Sequence, residues 1–165
     1  KLSLDSDLLP ISHAVGGDAD IVYEYEETSC YPKHTLLIEA TLADNSNQRR
    51  MEMEPVSRHL GNHLIETKNP DSYCVFITNN LHINIIADFR ARKLAYYYNT
   101  QNLNEYIVGM KIIPINTMDL KYIISNQIKY DEIYKKFDLA YRSENNEPKS
   151  WYEKDVSYAN YDTIS

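Results

Sequence analysis

Glycine is scarce in this chain. The 165 residues hold four, at positions 16, 17, 61 and 109, and they form no phosphate-cradling loop. No G-x-S-x-G string is present either, so acyl transfer through a nucleophile elbow has no support. Cysteine is scarcer still. Cys30 and Cys74 lie far apart with no CxxC, which reads as two reduced thiols of a cytosolic protein rather than a disulfide framework. No apolar run approaches the about 18 residues of a membrane span. No signal peptide is present, and the chain opens on Lys1 rather than Met, which suggests a start that is processed or missing. Basic charge is also short, with 17 Lys and Arg against 24 Asp and Glu, a net charge of −7. A free-standing nucleic-acid binder draws most of its affinity from a basic surplus. This chain therefore either does not bind nucleic acid or does so with help from a partner or a metal.

What is present fits one globular domain with a real core. The chain is 43% hydrophobic and 25% charged. Its fifteen tyrosines fit an interface composition, or equally a coding bias that also favours Ile, Asn and Lys. Leu2 to His13 reads as a helix end and a loop. Ala19 to Glu26 alternates and predicts a strand, with a hairpin connection through Glu27 to Lys33. His34 to Leu42 is apolar on both faces except at Glu39 and Thr41, which predicts a central strand. Ser46 can cap a charged helix that meets Pro55, kinks or restarts there, and ends near Thr67. Tyr73 to Thr78 predicts a buried strand, Leu81 to Tyr98 a long helix, and Tyr106 to Ile115 a strand with Gly109 as a bulge. Asn116 to Tyr141 predicts a long helix. Beyond it lies an aromatic segment whose Trp151, Tyr152, Tyr158 and Tyr161 suggest docking. The order β-β-α-β-α-β-α predicts an α/β fold, a mixed sheet flanked by helices.

Three constellations carry chemistry. Asp20 at a strand start and Glu39 in an apolar strand can meet across a hairpin. With the Ala40 backbone carbonyl they make oxygen ligands for a hard divalent cation such as Mg²⁺. Otherwise Asp20 is a surface acid and Glu39 a core-edge acid paired to an arginine. Glu52 and His59 stand two helical turns apart, as a water-holding and proton-moving pair or as part of a solvated charged face. His59 and His63 have the i, i+4 spacing of zinc ligands, but Leu60 stands where a zincin motif needs Glu; Cys30 with His34 is a weaker zinc half-site. Arg49, Arg50 and Arg58 suit phosphate contacts or salt bridges to Glu52 and Glu54.

Four strings taken together resemble the AlwI-type restriction endonucleases, Type IIS enzymes with a PD-(D/E)xK nuclease fold. They are Leu9-Pro10-Ile11-Ser12-His13, Asp20-Ile21-Val22, Ile38-Glu39-Ala40-Thr41-Leu42, and Glu52-Met53-Glu54-Pro55-Val56-Ser57-Arg58-His59. The resemblance covers about Leu9 to His63 and, more loosely, the rest. It implies a restriction-endonuclease-like core spanning residues 1–165 as one nuclease domain. That size matches the small catalytic subunit of a heterodimeric Type IIS enzyme, whose large subunit recognises double-stranded DNA and alone nicks one strand. It implies Mg²⁺ on Asp20, Glu39 and the Ala40 carbonyl, with Glu52 as a further ligand candidate. Glu52 and His59 would orient or deprotonate the attacking water. It also implies a bacterial cytoplasmic location. The motif lysine expected two residues after Glu39 is Thr41, and Glu26 rivals Asp20 for the first metal acid. Two other readings stay open: a stand-alone repair or structure-specific nuclease, and a non-catalytic protein-interaction module.

Overall fold

A computed structural model describes residues 19–41 and 45–158, with only the backbone described at 45–53. The readings of Leu2 to His13 and of Tyr161 lie outside the described residues; the helix after the second strand begins at Asn45, so Ser46 stands inside its first turn rather than capping it. Strands β1 (Ile21–Tyr25), β2 (His34–Thr41), β3 (Tyr73–Thr78) and β6 (Ile112–Asn116) form one mixed sheet in the order β1-β2-β3-β6. β1 runs antiparallel to β2; β2, β3 and β6 run parallel. β2 is therefore internal, as its two-sided apolar pattern requires. β6 is an edge strand, which is where the Pro114 ring is tolerated, because its missing N–H removes no ladder bond on the open side.

Helix α1 (Asn45–Thr67) carries the chain from β2 to β3 and runs through Pro55 rather than restarting there. It packs with α2 (Ile83–Ala91) on the sheet face of Leu37, Glu39 and Cys74. There Phe76 meets Phe89 edge-on, with ring centroids 5.2 Å apart. α4 (Tyr130–Arg142) covers the opposite face, where Tyr73 meets Phe137 and His34 meets Tyr134. The result is the expected α/β fold, helices on both sides of a mixed sheet.

Three expected elements divide. The helix read over Leu81 to Tyr98 stops at Ala91. After a 3₁₀ turn the chain turns back as a hairpin, β4 (Tyr96–Asn99) with β5 (Asn102–Val108), outside the main sheet. The strand read over Tyr106 to Ile115 is two strands in two sheets. Gly109 is the turn between them at φ +83°, where a Cβ would lie 2.7 Å from the Tyr141 hydroxyl. The helix read over Asn116 to Tyr141 breaks at Gln127, φ +51°, into α3 (Thr117–Ser125) and α4.

The C-terminal segment docks as expected. Trp151 and Tyr152, in α5 (Pro148–Trp151) and the π-helical turn after it, are fully buried. Asp119, buried in the first turn of α3, accepts bonds from the Tyr152 hydroxyl at 2.6 Å, the Ser157 hydroxyl at 2.9 Å and the Tyr158 N–H at 2.8 Å. Buried Arg90 donates to the carbonyls of Ala140, Tyr141, Ser143 and Asn145, which caps the end of α4. No helix of the described residues is long and apolar enough to cross a membrane.

At the start of β2, His34 is locked. Its Nδ1–H donates to the Pro32 carbonyl at 2.7 Å, so its Nε2 accepts from the Tyr130 hydroxyl, also at 2.7 Å. Tyr73 in turn reaches Tyr130 at 3.0 Å. Both ring nitrogens being used, the Cys30–His34 zinc half-site has no geometry. Both cysteines are free thiols, and burial pushes the Cys74 thiol well up. Burial is also the largest effect on His34 and pushes its pKa down. Lys111 adds to that, while the Pro32 bond and Asp71 oppose it. A depressed folded pKa stabilises the protein above the unfolded value of about 6.5 and loses that contribution as pH falls through it. We expect Tm to drop more steeply between about pH 7.5 and 5 in the wild type than in His34→Gln. Parallel slopes in differential scanning calorimetry would assign the acid sensitivity to other groups.

Candidate active site

β1 and β2 bring the two acids together. The register Ile21↔Ile38, continued one step, sets Asp20 beside Glu39. Asp20 Oδ2 accepts the Ala40 N–H at 2.9 Å, which ties the start of β1 to the strand that carries Glu39. Glu26 sits past the other end of β1, six strand steps from Asp20, about 20 Å. It is exposed and pairs with Lys33 at 3.5 Å. The fold thus joins Asp20, not Glu26, to Glu39.

Helix α1 supplies the third group. His59 Nδ1 lies 2.6 Å from Glu39 Oε1, and each side chain is only 10% exposed. Glu39 is thus paired to a histidine, not to the arginine that a core-edge acid suggests. Burial pushes the Glu39 carboxyl above its ordinary range; Asp20 pushes the same way, and His59 pulls against both. The 2.6 Å separation is the short length typical of a charge-assisted hydrogen bond. His59, Asn62, His63 and Glu66 follow at i, i+3, i+4 and i+7, one stripe of α1. With Ala19, Val22 and Leu37 they line a pocket of about 120 Å³.

Other expected residues are placed as follows. Glu52, Arg49 and Arg50 fall where side chains are not described. Arg58 Nη1 donates to both Glu54 oxygens, at 3.0 and 2.9 Å, so the salt-bridge reading holds for it. His63 Nε2 is buried without a hydrogen-bond partner, and burial pushes its pKa down. His59 turns its Nδ1 to Glu39, and among the described residues no three His, Cys, Asp or Glu side chains gather as metal ligands.

A divalent cation fits the acids that are present. They offer hard oxygen donors on one strand edge, short of a closed cage. This suits Mg²⁺, which takes one or two carboxylates and fills its sphere from water and substrate phosphate. A nearby cation would also relieve the burial and repulsion that hold Glu39 above its usual range.

The comparisons agree with this frame. The AlwI restriction endonuclease family model matches residues 1–123. The chain belongs to the AlwI restriction endonuclease family. Among solved structures it is similar to the small subunit, R.BspD6I2, of the heterodimeric restriction endonuclease R.BspD6I. The TM-score is 0.63 and the identity 19%, over 91% of this chain and 73% of that one. That likeness establishes the restriction-endonuclease-like fold. No curated protein matches the chain.

Residues that sequence reading missed include Asn62 and Glu66 on the α1 stripe. The i, i+3, i+4, i+7 spacing from His59 was a signal that could have found them.

A carboxylate held above its usual range costs folding free energy at neutral pH, because ionising it in the fold is harder than in the unfolded chain. In metal-free protein Glu39→Gln, which keeps the shape, is expected to leave Tm unchanged or to raise it by a few degrees. A clear fall in Tm would mark the Glu39–His59 pair as a structural device.

Proposed function

We propose that this family member is the small catalytic chain of a heterodimeric Type IIS restriction endonuclease, one nuclease domain that hydrolyses one strand of double-stranded DNA. In this reading a large partner chain recognises the site and nicks the other strand, in the cytoplasm of a bacterium. The observation that carries it is the meeting of Asp20 and Glu39 at one strand edge, with His59 on Glu39 at 2.6 Å. The match to a restriction endonuclease family supports it, as does the likeness to a small subunit of a heterodimeric enzyme. The −7 net charge supports the need for a partner, because it leaves little basic surface to find DNA alone.

Asp20, Glu39 and the Ala40 carbonyl are the residues that would hold Mg²⁺, with Glu52 as a further ligand. When bound, the cation supplies a Lewis acid that draws charge from the scissile phosphate and acidifies water. Glu39 fixes the ring of His59 through Nδ1. That leaves His59 Nε2 to take a proton from the attacking water or to bond a phosphate oxygen. Thr41 stands where related folds place a lysine and brings no charge, so Glu52 and His59 would orient or deprotonate the water, or steady the phosphate, in its place. In-line attack by water on phosphorus breaks the bond to the 3′ oxygen and leaves a 5′-phosphate and a 3′-hydroxyl.

The test is cleavage of end-labelled duplex containing the partner's site. The chain alone with Mg²⁺ is expected to cut little. Adding the recognition chain gives cleavage of both strands, and chelation of the metal stops it. Asp20→Asn and Glu39→Ala are expected to leave only the partner's nick, and His59→Ala to slow the second cut by about 10²- to 10⁴-fold. Unchanged second-strand cleavage by Glu39→Ala sinks the reading.

A further inference from the structure

The β4–β5 hairpin belongs to no strand of the main sheet, yet it presses on the helix that carries His59. Its strands alternate. Tyr96 and Tyr98 face outward, 58% and 46% exposed, and cross-strand Tyr106 and Val108 face outward with them. Tyr97, paired with Ile107, faces inward. Its ring lies against Gly61 of α1. A Cβ at Gly61 would stand 2.5, 2.6 and 2.7 Å from three ring carbons, so no larger residue fits while the ring is there. Glycine inside a helix is less favourable there than alanine. Here that cost is matched by a close approach of ring to backbone.

The angle matters. Gly61 follows His59 by two residues, about 200° around the helix. The ring therefore bears on the side of α1 that faces away from His59. The Tyr97 hydroxyl reaches round to donate to Asn62 Oδ1 at 2.9 Å, and Asn62 lines the same pocket as His59. One side chain thus fixes both the spacing of α1 and its rotation.

We propose that Tyr97 is a positioning residue: seated on Gly61 and bonded to Asn62, it holds α1 where His59 reaches Glu39. This rests on the reading of Glu39 and His59 as the reaction site. Its test, however, reads the pair directly and needs neither DNA nor a partner. A short Nδ1–H···O bond gives a strongly downfield imidazole proton in NMR, assigned to His59 by its absence in His59→Gln.

Four full-length variants decide the matter. Tyr97→Leu and Gly61→Ala are expected to lose the resonance while circular dichroism shows them folded. Tyr97→Phe keeps the ring on Gly61 and is expected to retain most of the signal. Phe137→Leu, in α4 across the sheet, is expected to keep the signal at an equal or greater loss of Tm. Retention in folded Tyr97→Leu overturns the proposal. So does equal loss in Phe137→Leu, or absence of the resonance in the wild type. Retention in Tyr97→Leu alongside loss of cleavage in Glu39→Ala would remove Tyr97 and leave the proposed reaction standing. The converse pattern would do the reverse.

Discussion

A carboxylate pulled out of water and held against an imidazole is the constraint around which this molecule is arranged. Glu39 sits in an internal strand, nearly closed from solvent, with Asp20 beside it and His59 at 2.6 Å. Burial and the neighbouring acid both act against its charge. A buried, poorly compensated charge costs several kcal/mol unless something offsets it. The fold offsets part of it with one hydrogen bond from α1. The remainder is a demand for positive charge at that strand edge.

The two ends of β2 answer different needs. At its start, His34 has both nitrogens bonded. Tyr25 stacks on Tyr130 with ring centroids 3.6 Å apart, and buried Lys111 lies over Tyr73 and Tyr134 at 4.7 and 4.9 Å. His34, Tyr73, Tyr130 and Lys111 each have a hydrogen-bond partner, and burial raises the tyrosines and lowers the histidine, which favours their neutral forms. At its end, five residues on and about 16 Å away, Glu39 is held in a state the fold only partly satisfies. A satisfied network makes the strand rigid, and that rigidity lets the other end keep two acids side by side.

The main sheet was legible because its strands announce themselves. YCVFIT is an unbroken apolar run, and HTLLIEAT is apolar on both faces, so their bounds follow from burial alone. Glu39 stood out for the opposite reason, as an acid in an apolar strand, while Asp20 was picked out by its place at a strand start and His59 by its spacing from Glu52. What failed was punctuation. The β4–β5 turn, Asn99-Thr100-Gln101-Asn102, has no glycine or proline, and the helical spacing before it runs on to Leu94, which is 76% exposed. Gln127 breaks a helix by entering left-handed backbone that sequence favours only in Gly, Asn or Asp. Gly109 was visible, but its turn joins two sheets, and no local pattern tells such a turn from a bulge. Tyr97 was invisible as a functional candidate because its meaning lies in a contact with Gly61, thirty-six positions away.

These failures and the site share a cause. The hairpin hidden in the apparent helix is the element that backs α1 from outside, while the sheet meets α1 from inside through His59 and Glu39. A helix between two such surfaces has its rotation fixed. His59 and Gly61 lie on nearly opposite sides, so any turn of α1 about its axis worsens both contacts together. Pro55 adds to this, since it removes one backbone bond from a helix that nonetheless runs unbroken. The weakened turn stands one helical turn before His59. The hairpin packs on α1 from outside and so backs the helix that Pro55 weakens.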